Sequence, residues 1–394
     1  MKINVKFVKI TLLASSTLTV MSGATIAASL PLIKETFSDN PDSDFLSKLI
    51  LTLPALFIAI ISPIAGVAVD KIGRKTLLIV SLILYGIGGS LGGLVDSLMW
   101  ILVSRGLLGI AVAIVMTVTS TLIADYFEGE ERSNFLGQQA AAMAIGGILF
   151  ISLGGVLAEM SWRGPFFIYG LSLLIVIPAI RFIKEPEKME SDESANLKSI
   201  EPKPRNAILF LLLLIFVTMV FFYMMPVQVP FILNKIGVSS TKVGLAIAAG
   251  TLSGAISSLA YKKLNTNFHT SWLYMASFLI MGTGYVLIAS FDTFIGITAS
   301  LFIAGFGNGL IMPNTTALVM NVAPNRVRGT IMGLLSAFMF LGQFFSPILI
   351  QPLADATTMN SAFLYAGLAM ATMGVGFFIY NITTNDNTLL KLKS

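Results

Sequence analysis

The sequence predicts an all-α membrane protein, with twelve transmembrane helices arranged as two pseudo-symmetric bundles of six. Three observations lead there. Of the 394 residues, 55% are hydrophobic and only 11% charged, against roughly 25% charged in an ordinary soluble domain. Apolar runs of about 20 residues, the length that crosses a hydrocarbon core, recur along the chain. Residues of the first half also reappear in the second at a constant offset. With a mean hydropathy of +0.86, the surplus apolar surface requires an apolar solvent, which excludes a soluble enzyme. The 34 glycines and 15 prolines suit membrane helices, where small residues let backbones approach and neighbours satisfy freed backbone groups. There is no cysteine, so disulfides, thiolate metal sites and cysteine catalysis are excluded.

The runs are too long for barrel strands, which would alternate over about 10 residues. In order they are Ala14 to Ile33, Leu46 to Val69, Thr76 to Val95, Met99 to Ala124, Asn134 to Leu157 and Phe166 to Ile183. The second series is Ala207 to Leu233, Thr241 to Tyr261, Ser271 to Ser290, Phe294 to Val322, Gly329 to Leu353 and Ala362 to Ile382. The first run has a basic start and an alanine-rich Ala24 to Ala28 segment like a signal peptide's. Removing it leaves eleven spans and spoils the charge asymmetry described below, so it reads as a helix. Residues 184–206 are charged, carry Pro186, Pro202 and Pro204, and have few large apolar residues. They read as a cytoplasmic linker between bundles 1–183 and 207–394.

Basic residues assign the faces. Of the 25 lysines and arginines, all but six fall on the N-terminal segment, the even-numbered connections and the C-terminal tail. The exceptions are Lys34, Lys48, Arg163, Lys235 and Lys242 on the opposite face, and Arg105 inside a span. Both termini are therefore expected in the cytoplasm. The net charge of +5 follows from topology and needs no nucleic acid. His269, the lone histidine, falls in a connection between runs.

At an offset of 196, Arg132 falls on Arg328, Gly137 on Gly333, Met143 on Met339, Gly146 on Gly342 and Gly109 on Gly305. Several matches at one offset, in runs of the same direction, indicate duplication into parallel halves.

Three segments carry mechanism. After the second run comes Gly66-Val-Ala-Val-Asp70-Lys71-Ile-Gly73-Arg74-Lys75. Its glycines permit a tight turn and close helix ends, and Asp70 can accept from basic neighbours or a helix N-terminus, which makes a state-dependent latch. Leu102-Val-Ser-Arg105-Gly106-Leu-Leu-Gly109 places a guanidinium inside a span, where it is costly unless it faces a polar interior. Asp125-Tyr-Phe-Glu-Gly-Glu-Glu-Arg132, with Arg326, Arg328 and Gly329 in the matching connection, sets acids and bases at opposed helix ends.

The first of these strings closely resembles the cytoplasmic loop signature of the major facilitator superfamily, and the resemblance extends over essentially the whole chain. The Arg105 segment is similar to the family's helix-four signature, whose arginine is associated with proton coupling in exporters. The resemblance implies a major facilitator fold and a twelve-helix multidrug or metabolite efflux branch of the drug:proton antiporter type. It also implies a cytoplasmic gate of Gly66, Asp70, Lys71, Gly73, Arg74, Lys75, Asp125, Arg132 and Arg328, with Arg105 serving proton coupling. Two departures stand out. Exporters of the family often carry Gly-Pro and Gly-Gly in the fifth helix, where this chain keeps Gly146, Gly147, Gly154 and Gly155 but has Phe150-Ile151 at the Gly-Pro position. No Asp or Glu lies near the middle of any run, which leaves Asp70, Asp125, Glu159 and Glu35 near helix ends.

Polar residues expected at mid-depth are Gln138, Gln139, Tyr223, Gln228, Asn308, Asn314 and Gln343, interleaved with Phe221, Phe222, Met224, Met225, Met339, Phe340 and Phe344. Such a pliable apolar wall with few polar anchors suits an amphipathic compound better than a sugar or phosphate. The candidate substrate contacts are Gln139, Tyr223, Gln228, Asn308, Asn314 and Gln343. Each amide is equally able to act as interhelical glue. The runs offer no paired acids, histidine pair or metal cluster, so the expectation is a non-enzymatic transporter without a cofactor, driven by a proton gradient. It is expected to be a monomer in a bacterial plasma membrane. Uptake or uncoupled facilitation of a metabolite is the alternative, and a non-transporting receptor a more distant one.

Overall fold

The computed structural model describes residues 5–186, 202–324 and 327–383, with side chains throughout except at 70 and 202–204. Most of the expected linker, Arg326 and the C-terminal Lys391 and Lys393 lie outside the described residues. The described chain has eleven helices long and apolar enough to cross a bilayer, and twelve when one bent pair is taken as a single span.

That pair is the first span. Helix α1 (Val5–Met21) ends at a kink, and a 3-10 turn over Ala24–Ser29 leads into α2 (Leu30–Thr36), with a bend of 40°. The hydroxyls of Thr17, Thr19 and Ser22 each donate to the carbonyl three residues back, at 2.7–2.8 Å. Back-bonding of this kind competes with the helical ladder and bends it. The span therefore starts nine residues before the expected Ala14 and is broken where the sequence pattern shows a continuous run.

Next come α3 (Ser43–Ile72), α4 (Arg74–Leu91), α5 (Leu98–Tyr126) and α6 (Gly129–Met160). The sixth span is short pieces in series: α7 (Gly164–Phe167), a 3-10 turn over Ile168–Leu171, and α8 (Ser172–Phe182). The seventh is α9 (Pro202–Phe222) and α10 (Met224–Lys235). It starts before the expected Ala207, because prolines at the first helical positions need no N–H partner and so start the helix rather than extend the linker. The seam at Tyr223 also has a cause. Pro226 has no N–H, so the Phe222 carbonyl loses its helical donor. The remaining helices are α11 (Ser240–Asn267), α12 (Thr270–Ser290), α13 (Phe294–Val322), α14 (Arg328–Ala356) and α15 (Met359–Thr383).

The chain divides into two compact units. One is Met1–Asp192 with Ser239–Leu245, and the other is Glu193–Val238 with Ala246–Ser394. Within the first, α1 packs along α6, α3 along α5, and α4 against both α5 and α8. Within the second, α9 packs along α14, and α12 against α13 and α15. The α11–α13 pair is close-packed, because Gly250 and Gly254 face Gly305 and Gly309. A methyl added at Gly254 meets the Gly305 carbonyl oxygen at 3.2 Å, which is the close backbone approach of small residues spaced by four. Numbered as spans, the pairs in the first unit are one with five, two with four, three with four and three with six. The second unit repeats them as seven with eleven, eight with ten, nine with ten and nine with twelve. The duplication read from the offset is thus a duplication of packing.

Each unit also braces the broken first span of its six in the same way. The Tyr85 hydroxyl, on α4, donates to the Leu18 carbonyl of α1 at 2.7 Å. The Tyr285 hydroxyl, on α12, donates to the Phe221 carbonyl of α9 at 2.5 Å. Both tyrosines are fully buried. Large apolar side chains such as Ile64, Leu94, Trp100, Leu174 and Ile177 are exposed, as a lipid-facing surface requires.

Candidate functional site

The signature after α3 builds a turn that only glycine permits. Gly73 has φ +101°, in the left-handed region closed to side chains. The turn aims the first N–H groups of α4 outward, and one carboxylate takes two of them. Glu185 accepts from Arg74 N at 2.6 Å and Lys75 N at 2.9 Å. An anion on the orphan donors of a helix N-terminus is favoured both by hydrogen bonding and by the helix dipole. Arg74 is nearly buried, and its Nε donates to Asp125 Oδ2 at 3.2 Å, tying α4 to the end of α5. Lys75 Nζ donates to the Ile180 carbonyl at 2.8 Å. The Tyr126 hydroxyl bonds to the backbone of Lys184. At the same end, Lys9 pairs with Glu131 at 2.8 Å, joining α1 to α6.

Arg74, Lys75 and Asp125 thus come together inside the first unit. Lys71 and Arg132 are exposed, and the Asp70 side chain lies outside the described residues. A methyl at Gly66 meets nothing within 4 Å, so the close approach expected there is not seen. In the second unit, Arg328 donates to its own neighbour, the Ala323 carbonyl, at 3.5 Å.

Arg105 sits about two turns into α5 and is fully buried. Its guanidinium donates to the Gly89 carbonyl on α4 and to Ser104 Oγ at 3.4 Å. It lies 4.7 Å from the Phe166 ring centre and 4.9 Å from that of Tyr169. Nη1 has no hydrogen-bond partner. A cation inside a span costs about 2.5–3.5 kcal/mol on insertion scales. A charged hydrogen bond contributes about 1.5–3 kcal/mol and a desolvated cation–π contact about 2 kcal/mol, so carbonyl and rings together offset that cost without a carboxylate. At the opposite end of the first unit, Arg163 has a simpler role. It donates to the Gly93 and Val95 carbonyls at 3.0 and 3.2 Å, pairs with Asp96 and covers Trp162.

The polar residues expected at mid-depth divide by what they bond. Gln139 on α6 donates to Ser16 Oγ on α1 at 2.9 Å. Asn314 on α13 donates to the Thr270 carbonyl at the start of α12 at 3.0 Å, and beside it Tyr274 donates to Thr315 at 2.8 Å. These contacts join helices. Gln138 is exposed. Gln343 is buried, Tyr223 packs on Phe222 with ring centres 6.1 Å apart, and Asn308 Oδ1 has no partner. Gln228, 1% exposed, donates to Gln351 at 3.5 Å, and its Oε1 is unpartnered. Leaving such a buried acceptor unmet costs about 1–3 kcal/mol. His269 occupies the N-cap position of α12, without a side-chain capping bond, in the short connection expected for it.

Three groups escaped the sequence reading. Glu185 was legible only as an acid after the sixth span. Lys48 was counted only as a charge of the opposite face, at the start of the run Leu46 to Val69, whereas within α3 it is 1% exposed. It bonds to Asp44 at 2.6 Å, and Asp44 also holds Lys34 at 2.6 Å. The four-residue spacing of Asp44 and Lys48 on one helix face was the available signal. Asp355 Oδ1 accepts from Gln351 at 2.7 Å and was not weighed among the acids. Among the described residues, no group of three or more His, Asp or Glu could hold a metal ion.

Among curated proteins, the chain is 27% identical to Multidrug resistance protein 1 of Bacillus subtilis (strain 168) over 320 residues, covering 79% of this chain and 81% of that protein. It is 25% identical to Quinolone resistance protein NorA of Staphylococcus aureus (strain COL) over 325 residues, covering 80% and 83%. In fold it is similar to a bacterial homolog of the human lysosomal transporter Spinster in an inward-facing, occupied conformation. That match has a TM-score of 0.78 at 18% identity and covers 98% of each chain. A D-xylose-proton symporter matches with a TM-score of 0.75 at 15% identity, covering 95% and 97%. The family description "Major Facilitator Superfamily" matches residues 12–231 and 209–391. With the repeated helix pairing, the glycine turn at Gly73 and the arginine within α5, these matches place the chain in the Major Facilitator Superfamily, as a multi-pass membrane protein for secondary transport of a small molecule.

Proposed function

We propose that the protein exports a small amphipathic compound, a drug or a metabolite, from a bacterial cytoplasm in exchange for protons, by alternating access. It does so as a monomer in the plasma membrane with both termini cytoplasmic. The observation that carries this reading is the buried guanidinium of Arg105, in a chain whose curated relatives are named for multidrug and quinolone resistance. A fixed positive charge in a low dielectric disfavours protonation nearby. A protonated group or cationic substrate moving through the first unit is therefore driven off in the state that brings it close. The cluster of Gly73, Arg74, Lys75 and Asp125, with Gly66, Asp70, Lys71 and Arg132 on the elements beside it, forms the first unit's part of the cytoplasmic gate, and Arg328, at the start of α14, is its counterpart in the second. In the second unit, Tyr223, Gln228, Asn308 and Gln343 supply the polar points of an otherwise Met- and Phe-rich substrate surface, while Gln139 and Asn314 serve as interhelical bonds.

The absence of Asp and Glu near the middle of the spans favours a second reading, uncoupled facilitation or uptake. One experiment separates the two. Purified protein is reconstituted into liposomes, and accumulation of a fluorescent quaternary ammonium compound, whose fixed charge prevents passive trapping by pH, is followed with and without an imposed pH gradient and against protein-free liposomes. Export coupled to protons requires accumulation above equilibrium that collapses when the gradient is dissipated. Equilibration at the same rate under both conditions assigns the facilitator instead. Arg105→Ala is expected to abolish accumulation while expression stays near wild type, and wild-type flux in that variant removes its coupling role.

A further inference from the structure

The second unit holds a chain of three polar side chains whose direction is fixed by chemistry. Asp355 and Gln351 are four residues apart on α14, and so share a face. Asp355 is exposed near the end of the helix, while Gln351 and Gln228 are buried. An ionised carboxylate only accepts hydrogen bonds. Gln351 must therefore turn its NH2 toward Asp355, as it does at 2.7 Å, which leaves its Oε1 toward Gln228. Gln228 must then present its own NH2 to that oxygen, at 3.5 Å. Its Oε1 is left over, buried and without a donor. Amide orientation is ordinarily ambiguous; here the carboxylate settles it. The backbone around Gln228 is also short of donors. Pro226 and Pro230 flank it, so the carbonyls of Phe222 and Pro226 lack the N–H that a helix normally supplies four residues on.

We propose that Gln228 is the subsite that selects substrates by a hydrogen-bond donor, an O–H, an amide N–H or a protonated amine. Asp355 acts through Gln351 as the positioning residue that keeps Gln228 an acceptor. This rests on the reading of Gln228 as a substrate contact and adds the polarity of the group it takes. No proton or electron changes hands.

The test uses two fluorescent naphthalimides of equal charge. One carries a protonated dimethylaminoethyl arm with a single N–H, and the other a trimethylammonium arm with none. Equilibrium binding of each to detergent-purified full-length protein gives an affinity ratio. The wild type is expected to prefer the N–H compound by about tenfold, the size of one hydrogen bond to a charged donor. Gln228→Met should bring the ratio near one. Asp355→Asn, at an exposed position that tolerates substitution, frees the amide chain to reverse and should lower the ratio with little change in melting temperature. Asp355→Glu should restore it. Equal affinity for both compounds in the wild type, or an unchanged ratio in Gln228→Met or Asp355→Asn, overturns donor selection. If Gln228→Met weakens both compounds equally, Gln228 remains a substrate contact and only the selection fails. If it leaves both affinities at the wild-type level, the substrate-contact reading fails as well.

Discussion

A guanidinium set against the faces of Phe166 and Tyr169 and bonded to the Gly89 carbonyl is poorly replaced by an ammonium. Lysine keeps the charge but lacks the planar fork and is more strongly hydrated. Arg105→Lys is therefore expected to lose most of its flux in the liposome assay while inserting normally, and wild-type flux there shows that charge alone suffices. Gly73 makes a second demand at this scale. Alanine at φ +101° costs about 1–2 kcal/mol of backbone strain, and its methyl meets the Glu185 carboxylate at 3.0 Å. Gly73→Ala should lower the melting temperature in detergent by several degrees, and Gly66→Ala, in open space, should not. Gly73 and Arg105 were legible because their residue types are rare where they occur. Glu185 and Lys48 were not, since a carboxylate after a span and a lysine near a helix start are ordinary in sequence. Only the fold shows that one meets two backbone N–H groups and that the other is sealed from water.

The broken first spans of the two units behave as a matched pair of elements. Each is held by a tyrosine hydroxyl from the third helix of its own unit, Tyr85 on the Leu18 carbonyl and Tyr285 on the Phe221 carbonyl. Removing either hydroxyl leaves a buried carbonyl with one partner fewer, at about 1 kcal/mol. For a unit of this size that corresponds to about 2–4 °C. Tyr85→Phe and Tyr285→Phe are thus expected to lower the melting temperature by similar amounts, and a large drop in only one denies the equivalence. Pro226→Ala returns the donor that the Phe222 carbonyl lacks, so α9 and α10 should become more stable while transport falls. A stabilised variant at full flux shows that the seam is not needed for transport. Apolar run length located the spans well, because lipid thickness sets it. Helix ends were less legible, since backbone hydrogen bonding continues past the lipid edge. Thus α6 begins at Gly129 and α11 runs to Asn267, well beyond the apolar runs Asn134 to Leu157 and Thr241 to Tyr261. The break near Ser22 was hidden because hydroxyls that bend a helix leave its apolar pattern intact.

At the scale of the molecule, the offset of 196 in sequence, the recurrence of the same helix pairs in both units and the matched tyrosine braces mark each half as a copy of one six-span plan. The orientation proposed for that plan puts its basic connections in the cytoplasm. The chain has no cysteine, so single cysteines report topology without background. Ser191→Cys, in the connection between the sixth and seventh spans, and Ser38→Cys, exposed between α2 and α3, are to be labelled in intact cells with a membrane-impermeant maleimide. Labelling at position 38, with position 191 reacting only after permeabilisation, is the expected result. A cysteine at 191 that reacts from outside contradicts the orientation, and with it the cytoplasmic gate and the direction of transport.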